Sequence, residues 1–272
     1  METIDLVGLA VPGLYFTMLA VEARWPARRF PPRRGWRWLG IGCLLLIAAV
    51  GAVTPLLLPL DWLAAHRWLD GSALGVAGGT LLGWVVLSAL SYAYHRACHR
   101  SPLLWRLLHQ MHHSPQRVDL SGAALFHPLE MLAQTLIQLF VTVIVLGLDP
   151  LAAALVGVVA AFYGMFQHWN VRTPRWLGYL IQRPEAHCEH HRMGVHALNY
   201  ADLPWWDLIA GSFANPERFE GECGFEPPAD RRLGAMLAWQ DVNDPLYGRA
   251  SRGAAMTASV IPPRSAPRSL RR

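Results

Sequence analysis

Eleven of the twelve histidines lie between residues 95 and 196, and most of them form three short clusters. The clusters are "HRACH" at 95–99, "HQMHH" at 109–113 and "HCEHH" at 187–191. Residues three or four positions apart share one face of a helix, so each cluster can direct its rings to one point. Imidazole nitrogen is a good ligand for iron, zinc, copper and nickel. One such motif alone would indicate a polar helix face, but three together predict metal binding.

The number of rings indicates how many ions they could hold. Nine imidazoles are too many for one ion, but at about four or five ligands each they suit two. Rings packed this closely would repel one another if protonated, so we expect neutral rings on metal ions. The predicted ligands are His95, His99, His109, His112, His113, His187, His190, His191 and, from the motif "QHWN", His168.

Other polar residues near these clusters are candidates to orient the ligand rings. His127 precedes Pro128 at the predicted start of a helix, which allows a capping role, a supporting role or direct ligation. His196 follows the third cluster and could orient a ligand, or be a loop histidine. Ring N–H groups need acceptors, and the candidates to accept from them are Asn170, Glu185, Glu189, Asp202 and Asp207. His66 is interpreted as a surface residue.

The elements that position these residues are predicted to cross a membrane. Of the 272 residues, 53% are hydrophobic and only 16% are charged, whereas soluble domains have about 25% charged residues. A span needs roughly 20 apolar residues. Five runs meet or approach that length: Ile4–Ala23, Leu39–Leu60, Ala73–Tyr94, Glu130–Leu148 and Leu151–Trp169. The last two are joined by a tight turn and should form a hairpin. The sequence thus predicts an all-α integral membrane helical bundle.

The orientation follows from the loop "RWPARRFPPRRGWRW", which carries six arginines between the first two runs. Positively charged short loops stay in the cytoplasm. With five spans, the N-terminus is then outside, and every histidine cluster forms part of a cytoplasmic, metal-binding cap. All 24 basic residues are arginine, which favours a GC-rich bacterial genome and hence a bacterial inner membrane. Residues 61–71 are predicted to form a short interfacial helix with tryptophan anchors.

Three regions follow from this organisation. Residues 1–72 are predicted to be anchoring spans with the interfacial segment, 73–215 the catalytic domain, and 216–272 a cytoplasmic tail. The tail is expected to be partly disordered, because the chain from about residue 250 is rich in arginine, proline and serine.

The clusters and their surroundings resemble the fatty acid hydroxylase/sterol desaturase superfamily of membrane oxygenases. The resemblance covers about 80–215 and rests on "HRACH", "LLHQMHHS", "FHPLE", "QHWN", "RPEAHCEHHR" and "NYADLPWWDLIAGSF". It implies a non-haem di-iron centre that activates O2, with ligand roles for the three clusters and for His168. Two positions depart from the pattern: Ser91 stands where an acidic residue is usual, and the ending "WWDLIAGSF" differs from the usual WD-x-x-FGT.

The resulting hypothesis is an O2-dependent hydroxylase of a lipid-like substrate, with an apolar channel provided by spans three to five. Two electrons must come from a separate ferredoxin- or cytochrome-type partner, because the chain has no haem motif, flavin or NAD fingerprint, or cysteine cluster. A desaturase of a sterol or acyl lipid would use the same centre. A metal transporter would place ionisable residues near the middle of its spans, where these spans have almost none. Nothing indicates nucleic-acid binding.

Overall fold

The structure, a computed structural model, describes residues 3–242. Within that range the regular structure is helical, and the only β-type pairing is an isolated bridge between Arg192 and Cys223. The all-α prediction is therefore confirmed. The predicted disordered tail from about residue 250 lies outside the described residues.

Eleven α-helices form the described part of the chain. They are α1 Thr3–Arg24, α2 Trp36–Leu56, α3 Leu60–Ala65, α4 Gly75–Arg100, α5 Pro102–Leu104, α6 Gln110–His113, α7 Pro128–Leu139, α8 Pro150–His168, α9 Pro184–His190, α10 Pro204–Ala210 and α11 Leu233–Leu237. Two π-helical segments, Trp105–His109 and Phe140–Val145, lead into α6 and extend α7. Short 3-10 helices cover Gly71–Leu74, Leu120–Gly122, Arg175–Tyr179 and Ala229–Arg231.

Five helical segments are long and apolar enough to cross a membrane, as predicted. They are Val7–Arg24, Trp36–Leu56, Gly71–Arg100, Pro128–Val145 and Pro150–His168. The third segment runs six residues past the predicted end at Tyr94, because the first histidine cluster continues the same helix. The protein is an integral membrane protein.

The centre of the bundle is the packing of α4 against α8. A side chain at Gly79 would come within 3.1 Å of the Ala152 Cβ, and one at Gly83 within 2.6 Å of the Val156 side chain. The two glycines are four residues apart on one face of α4, the small-residue spacing that lets membrane helices approach closely. Helix α1 also packs on α8, whereas α7 packs mainly on α2. The predicted hairpin partners therefore meet at their turn but pack on different neighbours.

Buried polar contacts fix which segments share an end of the bundle. Glu22, at the end of α1, accepts the backbone N–H groups of Leu120 and Asn170 at 3.0 and 2.9 Å. The Trp36 indole, at the start of α2, donates to Asp119 at 2.9 Å. The arginine-rich loop between α1 and α2 therefore lies at the same end as the residues that follow the histidine-bearing helices.

The cap at this end consists of short helices and loops. Its largest buried polar group is Arg183, which is fully buried and donates to Thr173, Asn215 and the Pro216 carbonyl. These bonds tie the start of α9 to the segments before and after it. Residues up to Val242 form one compact unit. The boundaries proposed at 72/73 and 215/216 stay predictions.

Candidate metal centre

Nine buried or half-buried histidines gather in two adjacent groups. Within each group one nitrogen of every ring lies within 4.8 Å of those of the other members. We call them the five-ring group and the four-ring group. The five-ring group is His95, His99, His109, His113 and His190; the four-ring group is His112, His168, His187 and His191.

The sequence clusters do not map one to one onto these groups. His109 and His113 are one helical turn apart and join the five-ring group, whereas His112 between them faces the other group. The third cluster divides in the opposite way: His187 and His191 join the four-ring group and His190 the five-ring group. Residues at i and i+4 point the same way on a helix, while the residue between them is rotated aside. Two clusters therefore contribute to both groups and hold them side by side.

The nitrogens that face away from the groups are bonded to oxygen at four rings. His95 Nδ1 lies 2.7 Å from the Tyr200 carbonyl, and His190 Nδ1 lies 2.6 Å from the Leu198 carbonyl. His168 Nδ1 lies 2.8 Å from the carbonyl of Gly164, one turn back along α8. A carbonyl oxygen can only accept, so each Nδ1 carries the proton, and each Nε2 presents a lone pair to its group.

The Nε2 atoms of the four-ring group converge. His168 Nε2 is 3.2 Å from both the His112 and the His187 Nε2, and His187 Nε2 is 3.1 Å from the His191 Nε2. In the five-ring group the His109 and His113 Nε2 atoms are 3.1 Å apart. The buried His190 Nε2 has no hydrogen-bond partner in the described part of the chain. A metal ion accepts all of these lone pairs at once, so the residues fit one metal ion per group.

Burial keeps these rings in the form that binds metal. Desolvation by burial, followed by the neighbouring rings, lowers the pKa of His112, His113, His187 and His191 well below the usual value for histidine. Neutral rings are therefore the state at neutral pH, as the sequence predicted. Protons compete with metal for such rings only under more acidic conditions than for an exposed histidine.

The fourth oxygen-bonded ring nitrogen involves a residue that was not predicted from the sequence. His109 Nδ1 lies 2.6 Å from Oε1 of Glu130, a fully buried carboxylate on the membrane-spanning α7. Its other oxygen has no hydrogen-bond partner among residues 3–242. The signal was available, since Glu130 ends the motif "FHPLE" and a carboxylate within a span is functional by default.

Of the predicted supporting residues, His196 lies where it can orient a ligand. Its Nδ1 is 3.1 Å from the His113 Nδ1, and its ring packs edge-on against Phe225. Burial lowers its pKa to about 4, so it is neutral and can exchange one hydrogen bond with His113. Its φ of 43° is strained for a residue with a side chain, which indicates that the surrounding contacts fix this position.

Two other predicted supporting residues bond to the backbone; for His127 this is the capping role that the sequence allowed. The His127 Nδ1 accepts the Leu129 backbone N–H at 3.1 Å, so His127 caps the start of α7. Asn170 exchanges two hydrogen bonds with the backbone of Arg28, at 2.9 and 2.7 Å. Its amide therefore holds the arginine-rich loop against the end of α8 and does not meet a ring.

The four acidic candidates also bond elsewhere, but one of them acts on the site indirectly. Asp207 accepts the backbone N–H groups of Tyr200 and Ala201 at 3.0 and 2.8 Å. It therefore fixes the loop that contains Tyr200, whose carbonyl bonds to the His95 ring. The other three bond to side chains or backbone outside both groups: Glu185 to Thr173, Glu189 to Arg192, and Asp202 to Gln167.

A large apolar groove of about 740 Å³ lies between the spans, on the membrane side of the histidines. It is lined by α1, α4 and α8, so the first span contributes and the fourth does not, unlike the channel expected from spans three to five. Trp84 and Tyr163 stack at its lining, with ring centroids 4.7 Å apart. Tyr163 precedes His168 by five residues on α8, or about 7.5 Å. The end of the groove at Tyr163 is therefore close along α8 to the four-ring group.

The region that carries the histidines matches a known protein family. Residues 80–212 match the model of the family described as fatty acid hydroxylase, a region that contains all nine gathered histidines. This region of the chain belongs to the fatty acid hydroxylase/sterol desaturase superfamily. This superfamily consists of membrane hydroxylases and desaturases, which are oxidoreductases that use iron. No solved structure gives a significant match to the chain.

Both departures from the usual motifs, at Ser91 and in "WWDLIAGSF", occur in the region that matches the family. Ser91 lies on α4, one turn before His95. In "WWDLIAGSF", Gly211 ends α10 with a φ of 71°, and Ser212 donates to Asp207 at 2.7 Å. The altered ending therefore still forms a tight turn beside the backbone that holds His95.

Proposed function

We propose that this fatty acid hydroxylase superfamily member is an O2-dependent di-iron enzyme that hydroxylates an unactivated C–H bond of a lipid-like substrate. The observation that carries the proposal is the pair of adjacent groups, each with enough converging imidazoles for one ion. When bound, the two irons supply O2 activation and the oxidising power that no side chain has.

The protein's own residues prepare the site for that chemistry. The carbonyls of Tyr200, Leu198 and Gly164 and the Glu130 carboxylate hold four rings in one tautomer. Phe126 stacks on His112 with centroids 4.3 Å apart. These fixed, buried and desolvated rings exclude water from the reacting centre.

The groove supports a lipid-like substrate. Its walls are almost entirely hydrocarbon, and the hydroxyl of the lining residue Thr80 donates to the Val76 carbonyl of its own helix. Apolar pockets of roughly 300–1,000 Å³ suit small ligands and chains. We predict that Leu155→Trp, which fills the groove, lowers product yield severalfold with unchanged metal content. The exposed Leu57→Trp, outside the groove, is the matched control. Equal yields from both variants would exclude the groove as the substrate site.

The electron donor is proposed to be a separate ferredoxin- or cytochrome-type protein on the cytoplasmic side, where the arginine-rich loop is expected to lie. A small cavity of about 110 Å³ is lined by Arg28, Arg172 and Arg218, and also by Cys188. Cys188 is adjacent in the chain to His187 of the four-ring group. With three arginines against one carboxylate, Glu185, this surface next to a predicted ligand suits an acidic donor.

The decisive experiment has two parts. Purified protein from iron-replete cells is analysed for metal, and lipid extracts from cells with and without the gene are compared by mass spectrometry. We expect close to two equivalents of metal and a lipid that gains one oxygen atom. A lipid that loses two hydrogens instead would indicate the desaturase. Less than one equivalent of any transition metal, or no change in the lipids, would contradict the proposal.

A further inference from the structure

The cap exposes an apolar face outside the five candidate spans. It is formed by the 3-10 helix Arg175–Tyr179 with the residue that follows it, and by α10. The two segments are neighbours, since the Trp205 indole donates to the Tyr179 carbonyl at 3.2 Å. The exposed large apolar side chains of this cap face are Trp176, Tyr179, Leu180, Trp205, Leu208 and Ile209. At its edge the exposed Arg175 donates to the Asn215 carbonyl at 3.2 Å.

The α10 part of the cap face carries no exposed charge. The only charged residue of "LPWWDLIAG" is Asp207, which is fully buried and accepts three hydrogen bonds from Tyr200, Ala201 and Ser212. Ile209, by contrast, is 79% exposed. Large, contiguous apolar surfaces of this kind are rare on parts of proteins that face water, and they mark protein or membrane contacts.

The depth of α10 is set by a series of contacts along α4. Starting from the ring end, His95 Nδ1 bonds to the Tyr200 carbonyl, and Tyr92 bonds to Ser212 at 3.3 Å. Deeper still, the Ser88 hydroxyl accepts from the Trp206 indole at 3.2 Å. Seven residues separate Ser88 from His95, a distance of about 10 Å along the helix axis.

Ser88 lies inside a candidate span. The predicted span ends at Tyr94, six residues beyond Ser88, or about 9 Å along the axis of the helical segment Gly71–Arg100. Because α10 packs beside Ser88, it lies at the depth of the hydrocarbon and not above it. Acyl chains are the surroundings that exposed apolar residues meet at that depth, so acyl chains are the occupant we assign to them.

We propose that this cap face is immersed in the bilayer, so that residues 200–212 form a re-entrant segment that contacts lipid acyl chains. Backbone at that depth must have internal partners. Here Asp207 accepts the N–H groups of Tyr200 and Ala201, and Ser88 accepts that of Leu203 at 3.4 Å. The segment that fixes His95 is therefore itself held by the membrane. This inference rests on the fold and does not depend on the reaction.

The test measures immersion directly. A nitroxide is attached at Ile209→Cys in the full-length protein in phosphatidylcholine nanodiscs, and collisions with O2 and with a water-soluble nickel complex are compared by EPR. The four native cysteines are buried, and labelled wild type gives the background. Leu45→Cys, exposed in the middle of α2, is the lipid reference, and Glu220→Cys, exposed on the cap, is the water reference.

We expect position 209 to favour O2 over the nickel complex severalfold, as position 45 does. Leu208→Cys should give the same result, so one poorly behaved variant cannot decide the outcome. Collision rates like those at position 220 would show that the cap face is in water and overturn the proposal. Exclusion of both reagents would also overturn it and indicate a protein partner, such as a second copy of the chain. None of these results depends on turnover, so failure of the proposed reaction would be recognised separately.

Discussion

The two histidine groups differ in the hydrogen-bond partners of the ring nitrogens that face away from the proposed metal ions. In the five-ring group His95, His109 and His190 bond to oxygen, and His113 meets His196. In the four-ring group His168 has such a bond and His112 interacts with the Leu125 backbone, whereas the buried Nδ1 of His187 has no hydrogen-bond partner in residues 3–242. In the five-ring group only His99 has a buried Nδ1 without a hydrogen bond of good geometry in those residues. Acceptors behind the ligands fix the tautomer and raise affinity. The five-ring group is therefore the better preorganised site.

The largest expected effect comes from removing one ring from each group. We predict that His112→Ala and His190→Ala each reduce turnover by more than about 100-fold, since even residues behind ligands contribute 10–100-fold. The two variants should differ in metal content. His112→Ala leaves three rings and should lose close to one equivalent, whereas His190→Ala leaves four rings and should retain more.

Elemental analysis and product yield measure these two effects on the same samples. His66→Ala is the matched control, because His66 is exposed and its ring contacts Trp62 at the other end of the bundle. Near wild-type yield from either variant would show that the missing ring is not a ligand. Equal metal loss in both would contradict the proposed difference between the groups.

The sequence predicted the nine rings because ligand spacing on a helix is a local property. The division into two groups was not predictable in this way, since His112 and His190 are assigned by how α6 and α9 pack together. Backbone acceptors such as the Tyr200 carbonyl leave no signature in the sequence at all. Asn170 was predicted to support a ring from its closeness in sequence to His168, but it lies beyond the end of α8 and bonds to Arg28.

The next effect concerns Glu130, which ties the five-ring group to α7. Glu130→Leu removes the acceptor of the His109 N–H, and we expect metal affinity of that group to fall by about 10–100-fold. Glu130→Gln keeps one oxygen that can accept and should recover much of the loss. Metal competition with a chromogenic chelator measures both.

A purely structural role for Glu130 would give a different pattern. Gln138→Leu, two turns further along α7, also places an apolar side chain in that helix and should keep wild-type affinity, because Gln138 contacts Ala153 and not Glu130. If Glu130→Leu binds metal as tightly as Gln138→Leu does, the carboxylate does not position His109.

A smaller difference in metal affinity between the two groups should be measurable in the wild-type protein. Because the four-ring group has fewer acceptors behind its rings, we predict that a chelator removes the two metals in two phases. The faster phase should come from the four-ring group, with an affinity about tenfold lower. Chelator titration followed by elemental analysis measures it, and His112→Ala, with that group already impaired, should lose the fast phase. A single phase of two equivalents in wild type would mean that the groups are equivalent.

The smallest effect is expected at a histidine outside both groups. His127 caps α7 through its bond to the Leu129 N–H, and loss of a cap costs about 1 kcal/mol. For a chain of this size that lowers Tm by about 2–4 °C. His127→Ala should therefore reduce thermal stability slightly while metal content and turnover stay at wild-type levels, and His127→Asn, which can also cap, should restore Tm. Loss of a full metal equivalent in His127→Ala would contradict this prediction. It would mean that His127 is a metal ligand although it lies outside both groups.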